Sequence, residues 1–200
     1  MSLPIGVTSR PAILTPGGWE GFFLRLSGDR GRRGLRSRGR PGPKEGRVHG
    51  KTFDELQVGQ EITTGGRTIT EADVVNFAGI SGDYQPEHMN EEFAKKGVMG
   101  GRIAHGVLIL AIATGQLNQT GIFEGTSIAV MEMKVRFLQP VRFGDTLTTV
   151  GRIVAKKETK KPDRGVVTLQ VSVLNQRDKV VLEAEWPVMV YRTNDVSRMS

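Results

Sequence analysis

The chain has 200 residues, 38% of them hydrophobic and 24% charged, a balance that suits one globular domain carrying an appendage. It has no cysteine, which excludes disulfide staples, thiolate zinc sites and a cysteine nucleophile. The formal net charge of +7 would suggest nucleic acid or an anionic surface, but ten Lys or Arg and only three Asp or Glu precede Val48, and the two signs balance from there on.

Residues 1–47 hold five prolines, ten glycines and the run RGRRGLRSRGRPGPKEGR, with no sustained period of 3.6 or 2. Such a segment buries too little apolar surface to offset its ordering entropy, so disorder is expected, relieved only by a short apolar patch at Trp19 to Leu26. Three readings stand for it: a nucleic-acid-binding arm, an Arg-rich targeting presequence, or an extension outside the working protein. The basic cluster lacks interleaved stacking aromatics, and nucleic acid is not expected as a partner.

Residues 48–200 read as the domain proper. Phe53, Leu56 and Val58 lead in, and Glu61 to Thr64 and Arg67 to Thr70 read as short strands around a Gly65-Gly66 turn. Thr70-Glu71-Ala72-Asp73 has the form of a capping box opening a helix that ends at Gly79 or soon after. In SGDYQPEH, Gly82 and Pro86 predict an irregular loop that carries both Asp83 and His88. Asn90 can cap a brief helix over Glu91 to Lys95, and Gly97, Gly100 and Gly101 mark an irregular connection. The run VLILAIATGQLN after His105-Gly106 is apolar on every side and predicts a buried helix, with Gly121 as its stop.

The second half predicts strands. In Val130 to Phe137, Met131, Met133, Val135 and Phe137 alternate with charged residues, and the two methionines are expected in the core. Thr146 to Ala155, Val166 to Leu174 and Val180 to Tyr191 follow, separated by the charged loop KKETKKPDRG and an Asp178-Lys179 turn. Pro187 places the end of the last strand at an edge or a bulge. Four long antiparallel strands after a buried helix make an α+β domain, a curved sheet wrapped round one central helix. No apolar run reaches the roughly 18 residues a bilayer span needs, so a soluble, cytoplasmic protein with no membrane partner is expected.

Asp83 and His88 can hold one water together, the carboxylate accepting a hydrogen and the imidazole accepting or donating. His105-Gly106 at a helix start offers main-chain N–H groups suited to a developing oxyanion. Read as residues alone, Asp83 is equally well a turn former and His105 a hydrogen-bonded histidine near a helix end. The HxxxH and HExxH spacings are absent and no metal is expected; GxSxG, GxxxxGK[ST] and a GxGxxG after a strand are absent too.

FAGISGDYQPEHMNEEFA, followed by GGRIAHGVLILAIAT and RFLQPVRFGDTL, resembles the MaoC-like, (R)-specific enoyl-CoA hydratases over about Thr52 to Arg192. The resemblance implies a hot-dog fold, a homodimer or higher homo-oligomer, and an acyl-CoA thioester substrate bound near the dimer interface. Asp83 and His88 would be the catalytic pair that activates water for addition to a trans-2-enoyl thioester, or for the reverse dehydration. Gly106 would hold the thioester carbonyl through its N–H, with His105 beside it in a supporting place. No cofactor is implied, because coenzyme A enters with the substrate. Thr114 stands where the family usually has a Ser that supports the catalytic loop; Gln85 replaces the usual Asn, and Glu87 a usually apolar residue. A hot-dog thioesterase and a non-catalytic acyl-CoA-binding regulator are the alternatives.

Overall fold

The computed structural model describes residues 50–193. The expectations for the basic tail fall outside the described residues. From the first described segment the chain runs through β1 (Glu61–Thr63), β2 (Arg67–Thr68), helix α1 (Glu71–Ser81), α2 (Pro86–Met89) and α3 (Glu91–Lys96). Then come the central helix α4 (Gly106–Gln119), β3 (Ser127–Val130), β4 (Lys134–Phe137), β5 (Thr146–Glu158), β6 (Arg164–Leu174) and β7 (Val180–Tyr191).

All pairings are antiparallel, in the order β1-β5-β6-β7-β3, with β2 also on β5 and β4 also on β7. The expected sheet around one helix is therefore present, and its inner face follows the period of two. Along β5, Leu147, Thr149, Gly151 and Ile153 are buried; along β6, Val167, Leu169, Val171 and Val173 are. These pack with Ile109, Ile112, Ala113 and Leu117 of α4 in one core. Burying each large aliphatic side chain stabilises the fold by about 2 kcal/mol. Gly151 lets the helix come close, since a Cβ there would lie 3.1 Å from Leu117.

Both sheet edges depart from expectation in the same way. Gly65-Gly66 is not a hairpin turn: β1 and β2 both run along β5, as one edge strand broken at 64–66. Thr64 repairs the break, its N–H donating to the Thr149 carbonyl at 3.0 Å and its hydroxyl accepting from the Thr149 N–H at 3.0 Å. Likewise Val130 to Phe137 is not one strand but β3 and β4, interrupted at 131–133. Pro187 of β7 lies opposite that interruption and accepts from the Met131 N–H at 2.9 Å, so its missing donor falls at a bulge as expected, although the strand runs on past it to Tyr191. The irregularity also defeats the alternation, and Met133 is exposed while Met131 is only half-buried.

The capping box forms as predicted. Asp73 N–H donates to the Thr70 hydroxyl at 3.2 Å and Thr70 N–H to the Asp73 carboxylate at 2.8 Å. Partial burial disfavours the Asp73 anion, but the Thr70 main-chain and hydroxyl hydrogens and Arg67 outweigh it and hold the carboxyl below its usual range. The cap therefore stabilises the fold above the ordinary carboxylate range and fades as pH falls through the folded value. Helix α1 ends on Gly82, whose φ of 76° is left-handed and suits glycine.

Helix α4 differs most from its reading. Its sequence is apolar all round, yet only one stripe is buried, while Val107 is 57% exposed and Ala111 is exposed beside it. Hydropathy alone cannot distinguish a helix wrapped on every side from one wrapped on a single side.

At the far end of the sheet Phe53 lies across Gly165, under the Lys156 ammonium and the Arg192 guanidinium at 4.5 and 4.9 Å from its ring centre. A Cβ at 165 would sit 2.4 Å from that buried ring. Gly165→Ala is expected to destabilise the domain by about 1–3 kcal/mol, read in a denaturant midpoint. Gly115→Ala, where nothing lies within 4 Å of the new atom, should instead raise stability by about 0.5–1 kcal/mol.

Candidate active site

Asp83 is delivered by the turn that ends α1. The Ser81 hydroxyl donates to the Phe77 carbonyl at 2.7 Å and accepts from the Asp83 N–H at 3.2 Å. Gln85 N–H then donates to Asp83 Oδ1 at 3.3 Å, which turns the carboxylate back over its own loop. The next residues are not irregular as expected, because Pro86 takes the first position of α2, where a missing N–H and a fixed φ favour a helix. His88 therefore stands on a helical turn.

Its ring is fixed by a carbonyl far away in sequence: His88 Nδ1–H donates to Ile103 O at 2.9 Å, leaving Nε2 as a bare acceptor. His105, only 2% exposed, donates from Nε2–H to the Asp83 main-chain oxygen at 2.9 Å. The two imidazole rings lie 3.9 Å apart between centres, and the Phe77 ring packs on His105 at 5.0 Å. A carboxylate oxygen of Asp83 and one ring nitrogen each of His88 and His105 lie within 4.8 Å of one another.

Glycines free the connection before α4 from regular structure, so side chains and single bonds must fasten it. Arg102 reaches Glu71 of α1 at 2.6 Å and Glu91 of α3 at 3.0 Å, and stacks over Phe143 at 4.9 Å. The Glu71 bond raises the Arg102 pKa further above its ordinary value against partial desolvation, and the Arg102 bond holds Glu91 below its own. Ile103 N–H donates to Glu87 O at 3.2 Å, Ala104 N–H to Val141 O at 2.8 Å, and the Arg142 guanidinium to the Met99 carbonyl. Helix α4 starts directly afterwards, with His105 as N-cap and Gly106 as its first residue. The N–H groups of that first turn have no acceptor inside the helix. Over Gly106 lies the ring of Phe137, 56% exposed, whose nearest carbon would be 2.8 Å from a Cβ at 106.

The fold thus brings Asp83, His88 and His105 together and sets Gly106 beside them in the chain. Gln85 takes part through its backbone, its carbonyl accepting from the His88 and Met89 N–H groups at 3.0 and 3.2 Å. Its side chain makes no capping bond. Thr114 stands two turns further along α4 and donates its hydroxyl to Leu110 O at 3.0 Å, so the expected bond to the Asp83–His88 loop is not made within this chain. Ile103, Arg102 and Phe137 are the contributors that sequence reading missed. A main-chain carbonyl leaves no residue-type signal, and only the charge of Arg102 within a glycine-rich connection marked it.

Two imidazoles and a carboxylate are also donor types able to hold a divalent cation, and each ring has one nitrogen hydrogen-bonded to a carbonyl. Spacing rules could not have found this set, since His105 joins it through tertiary structure. A separate cavity of about 340 Å³, lined by Thr63 to Arg67, Gln116, Gln119 and Thr120, lies by the C-terminal end of α4 and shares no residue with the site.

The profile of the MaoC like domain matches residues 54–175, which include Asp83, His88 and Gly106. The chain belongs to the MaoC-like dehydratase family. The MaoC protein of Klebsiella aerogenes is 38% identical to it over 60% of this chain, and the match spans only 36% of that longer protein. The (R)-specific enoyl-CoA hydratase of Rhodospirillum rubrum is 33% identical, over 69% of this chain and 90% of its own length. A solved structure named as a monoamine oxidase regulatory protein from Archaeoglobus superposes with a TM-score of 0.69 at 37% identity, covering 73% of this chain and 97% of that one. The fold of this MaoC-like protein is the hot-dog, with α4 as the helix in the wrap. Among its described residues no helix is long and apolar enough to cross a membrane.

Proposed function

We propose that this MaoC-like protein adds water to a trans-2-enoyl-CoA to give the (R)-3-hydroxyacyl-CoA, or catalyses the reverse dehydration. The observation that supports this most is the clustering of an Asp83 carboxylate oxygen with ring nitrogens of His88 and His105, one helix start away from the Gly106 N–H, while the bond from His88 Nδ1–H to Ile103 O leaves Nε2 as the acceptor. The pair holds a water through two acceptors and takes one proton as its oxygen bonds to C3. The electron pair of the double bond moves onto the thioester oxygen, where the Gly106 N–H stabilises it. Collapse of that enolate takes a proton back at C2, so water is added across the bond with nothing left over.

The reaction asks for no group beyond these side chains and the substrate's own coenzyme A. The protein works as a homodimer or a higher homo-oligomer. The exposed Val107 and Phe137, beside Gly106, support a partner copy covering that end of the site.

A panel of trans-2-enoyl-CoA substrates from short to long chain tests the reading, with loss of the conjugated thioester as the signal. Hydration of at least one chain length is expected. No turnover on any, with release of free thiol from saturated acyl-CoA instead, would give the site to a thioesterase.

A further inference from the structure

We infer that His105 is the positioning residue of the site, a brace that sets Asp83 against His88 and ties both to the oxyanion donor. The inference rests on the hydratase reading but concerns a residue that the reaction itself does not consume.

Three bonds from one short segment carry it. Ile103 O accepts from the His88 ring, Ile103 N–H donates to the carbonyl of Glu87 just before it, and His105 Nε2–H donates to the Asp83 carbonyl. Residues 103–105 thus clamp both ends of the Asp83 to His88 turn. Asp83 and His88 lie at the end of one helix and on the single turn of another, and neither element is long enough to fix their separation alone.

His105 also supplies a surface. Its ring packs on both Phe77 and His88, with the His88 ring only 3.9 Å away, so it limits how far the catalytic imidazole can tilt. The Asp83 carbonyl selects the Nε2–H tautomer of His105, and its buried Nδ1 has no partner. Because His105 is also the N-cap of α4, the peptide that bears the Gly106 N–H begins at the residue that pins Asp83. Water site and oxyanion donor are thereby referred to one anchor.

Two amide replacements of different reach test this. The amide nitrogen of His105→Gln reaches the place of Nε2 and can still donate to the Asp83 carbonyl; that of His105→Asn reaches only as far as Nδ1 and cannot. His105→Asn is expected to lose about 30- to 100-fold in kcat with KM changed less than about threefold, whereas His105→Gln, which keeps the bond to the Asp83 carbonyl but gives up the ring face, is expected to lose distinctly less, about tenfold. Equal losses in the two variants, an unimpaired His105→Asn, or a loss confined to KM would overturn the brace.

If the parent protein hydrates no enoyl thioester, the reaction assignment fails, and the brace is read instead by 15N NMR of the histidines. There His105 should show the Nε2–H tautomer and His88 the Nδ1–H tautomer, and His105→Asn should shift the His88 signals. A His88 spectrum indifferent to the loss of His105 overturns the proposal on its own.

Discussion

Asp83→Asn is expected to lower kcat/KM for hydration of a trans-2-enoyl-CoA by about a thousandfold, while the thermal midpoint moves little. The two effects separate because the side chain has two jobs. Asn keeps the shape and the Oδ1 that accepts from the Gln85 N–H, so the turn stays closed. It loses the charge and, on the proposed mechanism, one of the two acceptors that hold the water and take its proton. The loss should appear in kcat rather than in KM, since a group that takes the water's proton acts in the transition state and not in ground-state binding. Steady-state kinetics on the best enoyl chain length, with a melting curve as control, measures both. A variant keeping more than about a tenth of parental activity would leave His88 to act alone, since a single general base contributes about a hundredfold or more.

The second large effect is expected at Gly106. An added methyl would lie 2.8 and 2.9 Å from two carbons of the Phe137 ring, a distance that real carbon contacts do not sustain. Either the ring leaves or the first turn of α4 shifts, and in the second case the N–H leaves the place that the proposed oxyanion role requires. Gly106→Ala should therefore cost about a hundredfold in kcat, the scale of losing one oxyanion donor. The double variant Gly106→Ala with Phe137→Ala separates the causes. If crowding is responsible, removing the ring returns most of the lost rate; if the double variant is no better than the single one, the backbone at 106 is itself at fault.

These expectations bear on the two names that the relatives carry. A regulatory protein needs a surface, whereas this chain gathers a carboxylate and two imidazoles within 4.8 Å, with one of those imidazoles directly before the glycine that starts α4. The buried His105 and the fastening by Arg102 would be costly to maintain for a passive binding surface, because each orders a stretch that its glycines leave free. That favours the hydratase name over the regulator's.

The sequence by itself determined what local chemistry controls. The capping box at Thr70, a helix stop soon after Gly79, the strands β5 to β7 and the nearness of Asp83 and His88 around Pro86 all depend on neighbours within a few residues, and these were legible. Tertiary structure decided the rest. Whether an all-apolar helix is wrapped on one side or on every side depends on strands that come later, so α4 was read as wholly buried and Val107 was not foreseen. Edge strands tolerate a bulge because nothing beyond them enforces the register, and β1/β2 and β3/β4 both took one. The site shows the same division: its two acceptors stand five residues apart and could be read. The carbonyl that orients His88 and the histidine that pins Asp83 come from 15 and 22 residues away, and only folding could bring them there.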